Sequence, residues 1–194
     1  TYTVSGRLTD SSGRGIDGVT VSLSDGGTPM TVTTTGGGYY STTVGSGWTG
    51  TITPAPGCYT FTPSSSSIGP VTGDVVRHFM GTQYTYTISG LVSDGAPSYG
   101  EDGIENPIVG ATVSLSTGPS TSSISDGTFS IVVPCGFSGT VSIYYPGYDF
   151  TPSSYDFSEV PVTSNQAERN FVGTASGTTY TVSGTVLDER GQFG

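Results

Sequence analysis

The sequence contains no lysine. Five arginines carry all of its positive charge against 15 acidic residues, and the formal net charge is −10. A nucleic-acid binder needs a basic face to displace counterions from phosphates, and this chain has none to offer. Histidine is almost as scarce. His78 stands alone, so a His-dependent triad or a zinc site would have to be built around one residue. There is no phosphate loop, no HExxH pair and no Ser-centred elbow. No apolar run is long enough to span a bilayer, and no amphipathic helical period occurs. The three asparagines, Asn106, Asn165 and Asn170, form no N-x-S/T sequon. No acid–base or nucleophile set recurs or clusters. The expectation is a non-enzyme without a cofactor.

What the chain has in abundance is turn formers. It holds 31 glycines and 12 prolines in 194 residues, and it is rich in Ser and Thr. Such a composition is compatible with disorder. The pattern argues against it. Val, Ile, Tyr, Phe and Thr recur in short alternating runs between Gly-, Pro- and Ser-rich breaks, which marks an all-β chain. An acidic, lysine-free, Thr-rich surface suits a protein that stays soluble outside the cell.

The chain repeats itself. "TVSG" at 3–6 matches "TISG" at 87–90, and "GVTVSLS" at 18–24 matches "GATVSLS" at 110–116. "GWTGTI" at 47–52 matches "GFSGTV" at 136–141, and "YTFTPSS" at 59–65 matches "YDFTPSS" at 148–154. "RHFMGT" at 77–82 matches "RNFVGT" at 169–174. Ordered matches of this kind are the signature of tandem domains. We place the first copy at 1–83 and the second at 84–178. Each has the size of a small β-sandwich. A third opening, "TYTVSGTVLDERGQFG", occupies 179–194.

Alternation assigns the faces. Tyr2, Val4 and Leu8 share one side of the first run, with Gly6 between them. Val19, Val21 and Leu23 face a core while Thr20 and Ser22 face water. Trp48 and Ile52 share a parity, as do Phe137 and Val141. Seven strands fit the first copy, at about 2–9, 19–24, 31–35, 39–44, 50–55, 58–62 and 75–81. The run "TVTTT" at 31–35 has little to bury and reads as an edge strand. The expected fold is a pair of seven-stranded immunoglobulin-like β-sandwiches, arranged end to end.

The stretch "SGRLTDSSGRGIDGVTVSLS", followed by "TGGGYYSTTV", resembles bacterial immunoglobulin-like surface repeats of the carboxypeptidase-regulatory-like, transthyretin-like and Cna-B types. Those repeats open with G-x-V-x-D-x-x-G-x-P-I-x-G-V-x-V and carry a D-x-x-G-x-Y turn. The resemblance covers nearly all of both copies. It implies stalks of surface proteins, fibre subunits or accessory modules of secreted enzymes. Two departures stand out: Gly15 occupies the usual Pro position, and the second copy carries an insertion at 96–106. Some Cna-B-type domains form a Lys–Asn isopeptide bond, and sortase-joined pilins use a lysine. The absence of lysine excludes both here.

Several side chains invite a functional reading. Arg77 and Arg169 recur at equivalent sites and are expected to pair with a carboxylate or lie across an aromatic ring. Tyr39, Tyr40, Trp48, Tyr144 and Tyr145 supply rings for a sugar-stacking platform, or for core and domain-end packing. The acidic insertion "SDGAPSYGEDGIENP" at 93–107 brings Asp94, Glu101, Asp102, Glu105 and Asn106 together on one loop. Hard oxygen donors in that density are what calcium requires, although the spacing is not that of an EF-hand. A solvated loop is the plainer reading. His78 reads as a partly exposed strand residue.

The two cysteines are not at equivalent positions. Cys58 sits in the turn "PAPGCY" between the fifth and sixth strands. Cys135 sits in the turn "VPCGF" between the fourth and fifth strands of the second copy. Counting strands as alternately up and down places Cys58 at the far end of copy one and Cys135 at the near end of copy two. The expectation is a Cys58–Cys135 disulfide facing across the junction, of the kind that persists in oxidising compartments. The alternative is two free or intermolecular thiols.

These observations lead to a structural reading. The chain is expected to be a segment of a secreted or cell-surface protein, a stalk or the subunit of an extracellular fibre, whose partners are neighbouring repeats or copies of itself. The rival reading is a carbohydrate- or protein-binding accessory module of an adhesin or enzyme. For residues 179–194 two explanations stand: the opening of a further domain, or a strand donated to another subunit.

Overall fold

The computed structural model describes residues 1–95 and 106–177. Among the described residues every regular element is a β-strand. The third opening at 179–194 lies outside them.

The first copy forms β1 (Tyr2–Thr9), β2 (Thr20–Ser24), β3 (Met30–Thr33), β4 (Tyr39–Val44), β5 (Gly50–Pro54), β6 (Tyr59–Thr62), β7 (Ser66–Ile68), β8 (Val75–Val76) and β9 (Phe79–Gln83). One sheet runs β4-β1-β9-β6, with β8 also paired to β1, and the other runs β3-β2-β5-β7. Alternation puts Val4 and Leu8 of β1, Val21 and Leu23 of β2, Ile52 of β5 and Phe79 of β9 inside, all at most 2 % exposed. They form one hydrophobic cluster fed by both sheets. This is an immunoglobulin-like β-sandwich. β3 is an edge strand, as its polar composition predicts.

The second copy forms β10 (Thr85–Ser93), β11 (Thr112–Leu115), β12 (Ser120–Ser122), β13 (Thr128–Pro134), β14 (Thr140–Tyr144), β15 (Tyr148–Thr151), β16 (Ser154–Asp156) and β17 (Phe171–Ala175). Its sheets run β13-β10-β17-β15 and β12-β11-β14-β16. Replacing each strand of the first copy by its sequence counterpart turns one pair of orders into the other.

The described chain divides into two compact units. Unit 1 holds Thr1–Ile88 together with Val132–Gly139 and Phe157–Ala167. Unit 2 holds Ser89–Ile131, Thr140–Asp156 and the described residues from Glu168 onward. In unit 2, Val92, Val113, Val141 and Phe171 are fully buried, and the Phe171 ring meets Phe129 at 5.7 Å and Tyr155 at 5.2 Å between centroids.

The strand count differs from seven in two places. Ser66–Ile68 pairs with β5 as a short extra strand. It carries a single apolar residue, so no alternation announces it. The expected strand at 75–81 is broken into β8 and β9. β8 runs parallel to β1 at Val4 and Ser5, and β9 runs parallel to it at Leu8 and Thr9. Between them the Arg77 N–H donates to the Ser5 carbonyl at 2.8 Å. The Arg77 carbonyl then lies so close to Gly6 that a Cβ there would sit 1.6 Å from its oxygen. Unit 2 repeats the crossing: Arg169 N–H donates to Ser89 O at 3.0 Å, and a Cβ on Gly90 would come within 2.3 Å of Arg169 O. The glycine of each "SG" is therefore a close-approach residue.

Gly15, where the repeat pattern has Pro, answers a second steric demand. A Cβ there would lie 1.9 Å from the Gly37 carbonyl oxygen. In unit 2 the counterpart is Pro107, and the turn facing it is Asp126–Gly127 rather than three consecutive glycines.

A buried hydroxyl staples each sandwich. Thr34 is fully buried; its hydroxyl donates to Ile16 O at 2.8 Å and accepts from Val19 N–H at 2.9 Å. Ser123 does the same with Ile108 O at 2.6 Å and Ala111 N–H at 2.9 Å. Thr34→Val keeps the shape and strands two backbone groups. It is expected to cost about 1–3 kcal/mol, and Thr34→Ser well under half of that, as read by urea unfolding.

Candidate functional site

The sulfurs of Cys58 and Cys135 are joined in a disulfide with a Cα–Cα separation of 5.5 Å. Both cysteines belong to unit 1, so the bond closes within one compact unit. The turn after β5 presents Cys58, and the end of β13 presents Cys135, which is 5 % exposed. Three hydrogen bonds surround the bond. Tyr84 N–H donates to Cys58 O at 2.9 Å, and Cys135 N–H donates to Tyr84 O at 2.8 Å. The Gln83 side-chain amide donates to Cys135 O at 3.0 Å. Gln83 and Tyr84 were not singled out by sequence. Their only signal is position, in the segment between the two copies.

A cleft of about 470 Å³ opens beside β3 and β4 of unit 1, lined by Val32, Thr35, Tyr39, Tyr40, Val76 and His78 among others. That volume falls in the range of small-molecule sites. Tyr39 is 56 % exposed, and the Arg7 guanidinium lies 5.1 Å from its ring centroid. Arg7 is fixed by donating from Nε to Gly37 O at 2.8 Å. Tyr40 points inward; its hydroxyl donates to Arg77 O at 2.8 Å, and burial pushes it up to about 12, against the opposing pull of Arg77. The counterparts of Tyr39, Val32, Val76 and His78 in the second copy are Thr128, Thr121, Ala167 and Asn170, so its residues do not reproduce this lining.

The five aromatic candidates divide by environment. Tyr40 lies in the core and Trp48 packs against it. In unit 2, Tyr144 is 67 % exposed, while Tyr145 packs its ring on Tyr148 at 5.7 Å. Of the two recurrent arginines, Arg169 lies over the Tyr155 ring at 5.5 Å. Arg77 instead donates from Nη1 to the neighbouring Val76 O at 2.8 Å.

His78 has a structural occupation. Its Nδ1 accepts from Arg7 N–H at 3.0 Å, which places the proton of the neutral ring on Nε2. Asn170 Oδ1 accepts from Leu91 N–H at 2.8 Å, the equivalent bond in unit 2. His78→Asn is therefore expected to unfold within about 0.5 kcal/mol of the parent, and His78→Ala to lose about 1 kcal/mol; chemical denaturation of both variants checks this. A second acceptor pair repeats beside it, with Asp74 on Thr3 N–H at 2.7 Å and Asn165 on Thr87 N–H at 3.0 Å.

Of the proposed calcium ligands, Asp94 and Asn106 are described. Asp94 N–H donates to Asn106 O at 3.0 Å. Glu101, Asp102 and Glu105 lie outside the described residues. Among the described residues no three His, Cys, Asp or Glu side chains gather in a metal-binding group. Two turn carboxylates sit below their ordinary range through local hydrogen bonds. Asp10 is held there first by the Ser12 hydroxyl and then by Arg14 N–H, and Asp126 by the Thr128 hydroxyl and N–H.

No protein-family model matches the sequence. The chain is 31 % identical to the chitinase ChiA of Flavobacterium johnsoniae over 194 residues, which is 97 % of this chain and 11 % of that protein. It spans about a ninth of that relative's length. Among solved structures it is similar to the TIE protein of Bacillus anthracis, with a TM-score of 0.65, 14 % identity, and coverage of 90 % of this chain and 34 % of that one. It is also aligned with a streptococcal ancillary pilin at a TM-score of 0.43 and 14 % identity, over 87 % of this chain and 62 % of that one. The likeness to the TIE protein is one of fold: the described chain is built from immunoglobulin-like β-sandwiches.

Proposed function

We propose that the chain is a structural segment of a secreted or cell-surface protein: two tandem sandwiches, at 1–83 and 84–178, that serve as a stalk or as part of an extracellular fibre. One observation carries this reading. The bonding and steric roles that both copies keep are the ones that hold the framework. Gly6 and Gly90 admit the crossing carbonyl, Thr34 and Ser123 staple the sheets, and His78 and Asn170 bond the same position of the first strand. Val32, Tyr39 and Val76, which line the cleft, are not kept. A disulfide closed inside unit 1 suits an oxidising compartment, and the acidic, lysine-free surface suits the same place. We read the chain as non-catalytic, with neighbouring repeats or copies of itself as partners. Calcium in the 93–107 loop stays part of this proposal; identical melting with and without chelator removes it.

A second reading has its own support. The similarity to a chitinase over nearly the whole chain, and an exposed Tyr39 beside a cleft, fit an accessory module that holds polysaccharide. Titration with chitin oligosaccharides, and retention on insoluble chitin and cellulose, separates the two. The structural reading expects no saturable binding. Saturable binding that Tyr39→Ser abolishes establishes the accessory module instead.

A further inference from the structure

The framework of unit 1 leaves three side chains unexplained. Arg7, Tyr39 and His78 have Leu91, Thr128 and Asn170 as counterparts in the second copy. That copy pairs its strands in the same order without a guanidinium, a tyrosine ring or an imidazole at these positions. The fold asks position 78 only for an acceptor. Asn170 Oδ1 serves Leu91 N–H as His78 Nδ1 serves Arg7 N–H. Histidine adds a donor, the Nε2–H, and among the described residues that donor has no protein partner.

The three side chains gather at one place. Arg7 and Tyr39 are register partners on β1 and β4, and His78 takes the Arg7 N–H. Tyr39 and His78 both line the cleft of about 470 Å³. The Arg7 guanidinium, tied to Gly37 O, lies against the Tyr39 ring, so the ring is held before any ligand arrives. A side chain fixed in advance loses less freedom on binding.

The lining also selects a ligand. Val32 and Val76 supply apolar wall, Tyr39 an aromatic face, Thr35 and Ser41 hydroxyls, and His78 an N–H. Among the described residues no Asp, Glu or Arg lines the cleft. A charged ligand would give up hydration there without meeting a counter-charge. An anion would also meet the field of a chain with net charge −10. A pyranose offers the complement: a face of C–H groups for the aromatic ring, and a rim of hydroxyls for the polar groups.

We propose that the Tyr39–His78 cleft binds an uncharged pyranose sugar, with the Tyr39 ring against its C–H face and the His78 Nε2–H donating to one of its oxygens. The proposal rests on the accessory-module reading above and names the ligand class of its site and the residues that grip it.

The test titrates the isotope-labelled 194-residue chain with cellohexaose, chitohexaose, mannohexaose and hexagalacturonate, followed by NMR. At least one of the three neutral sugars is expected to shift the ring signals of Tyr39 and His78 saturably. Hexagalacturonate is expected to bind about tenfold more weakly or not at all. His78→Asn keeps the bond to Arg7 N–H and the melting temperature, and should weaken the neutral sugar roughly five- to tenfold by removing one directed donor. Tyr39→Thr, the residue of the second copy, should abolish binding. Equal affinity in His78→Asn overturns the proposal, as does hexagalacturonate binding as tightly as the neutral sugars. Saturable binding that moves neither ring also overturns it and leaves the accessory-module reading standing. No binding by any of the four overturns both together.

Discussion

Gly6→Ala is expected to unfold unit 1 at far lower temperature than the parent chain. The added methyl would sit 1.6 Å from the Arg77 carbonyl oxygen and 2.7 Å from both its carbon and the Tyr40 ring. The first obstacle is backbone, which cannot rotate aside as the end of a long side chain can. Relief requires β8 to leave β1, which gives up the Arg77 N–H to Ser5 O bond and opens the core above Tyr40. The cost is expected at or above ~3 kcal/mol, or a fall in Tm on the order of 10–20 °C for a unit of this size. Gly90→Ala meets the same carbonyl in unit 2 at 2.3 Å and is expected to follow it at somewhat smaller cost. Gly45→Ala is the control. Nothing lies within 4 Å of its Cβ position and its φ is not positive, so it should be neutral or stabilise by up to ~1 kcal/mol through the unfolded chain. Thermal unfolding followed by circular dichroism ranks the three.

Reducing the disulfide, or introducing Cys135→Ser with Cys58→Ser, is the second large effect. The bond spans a sequence separation of 77 residues. The chain-entropy account gives ~4–5 kcal/mol for a loop of that length. Had the bond joined two separately folding units, much of this would act on their mutual mobility and little on unfolding. Both cysteines lie inside unit 1, so the effect is expected in the unfolding of unit 1 itself. Calorimetry of the oxidised and reduced chain should show one transition moving down and the transition of unit 2 nearly fixed. Gln83→Ala removes only the amide bond to Cys135 O and should cost about 1 kcal/mol. A reduced chain that melts like the oxidised one contradicts this placement.

Much of this architecture is legible in the order of residues, for reasons that differ by element. β1, β2 and β5 sit between one buried and one open face, so period-two alternation names them and their inward residues. The cysteine pairing is readable because strand parity puts both turns at one level. The break between β8 and β9 is not. It arises from parallel pairing with a strand some seventy residues earlier, and its one local trace is the glycine at position 6. Thr34 hides in the same way. It belongs to a run with little apolar content, yet its burial comes from two backbone groups that need its hydroxyl. Tyr39 and Tyr40 are adjacent on β4, so pleating turns one to solvent and the other to the core. A platform that uses both was never available to that strand.

If the chain is the stalk or fibre segment proposed above, it bears tension, and the disulfide keeps part of it from extending. Pulling single molecules from their two ends under oxidising and reducing conditions tests that most directly. With the bond intact, the 77-residue span should stay closed. Reduction should lengthen the fully extended chain by up to about 260 Å, at ~3.4 Å per residue, and lower the force at which unit 1 opens. Equal length and equal opening force in both conditions would contradict the account.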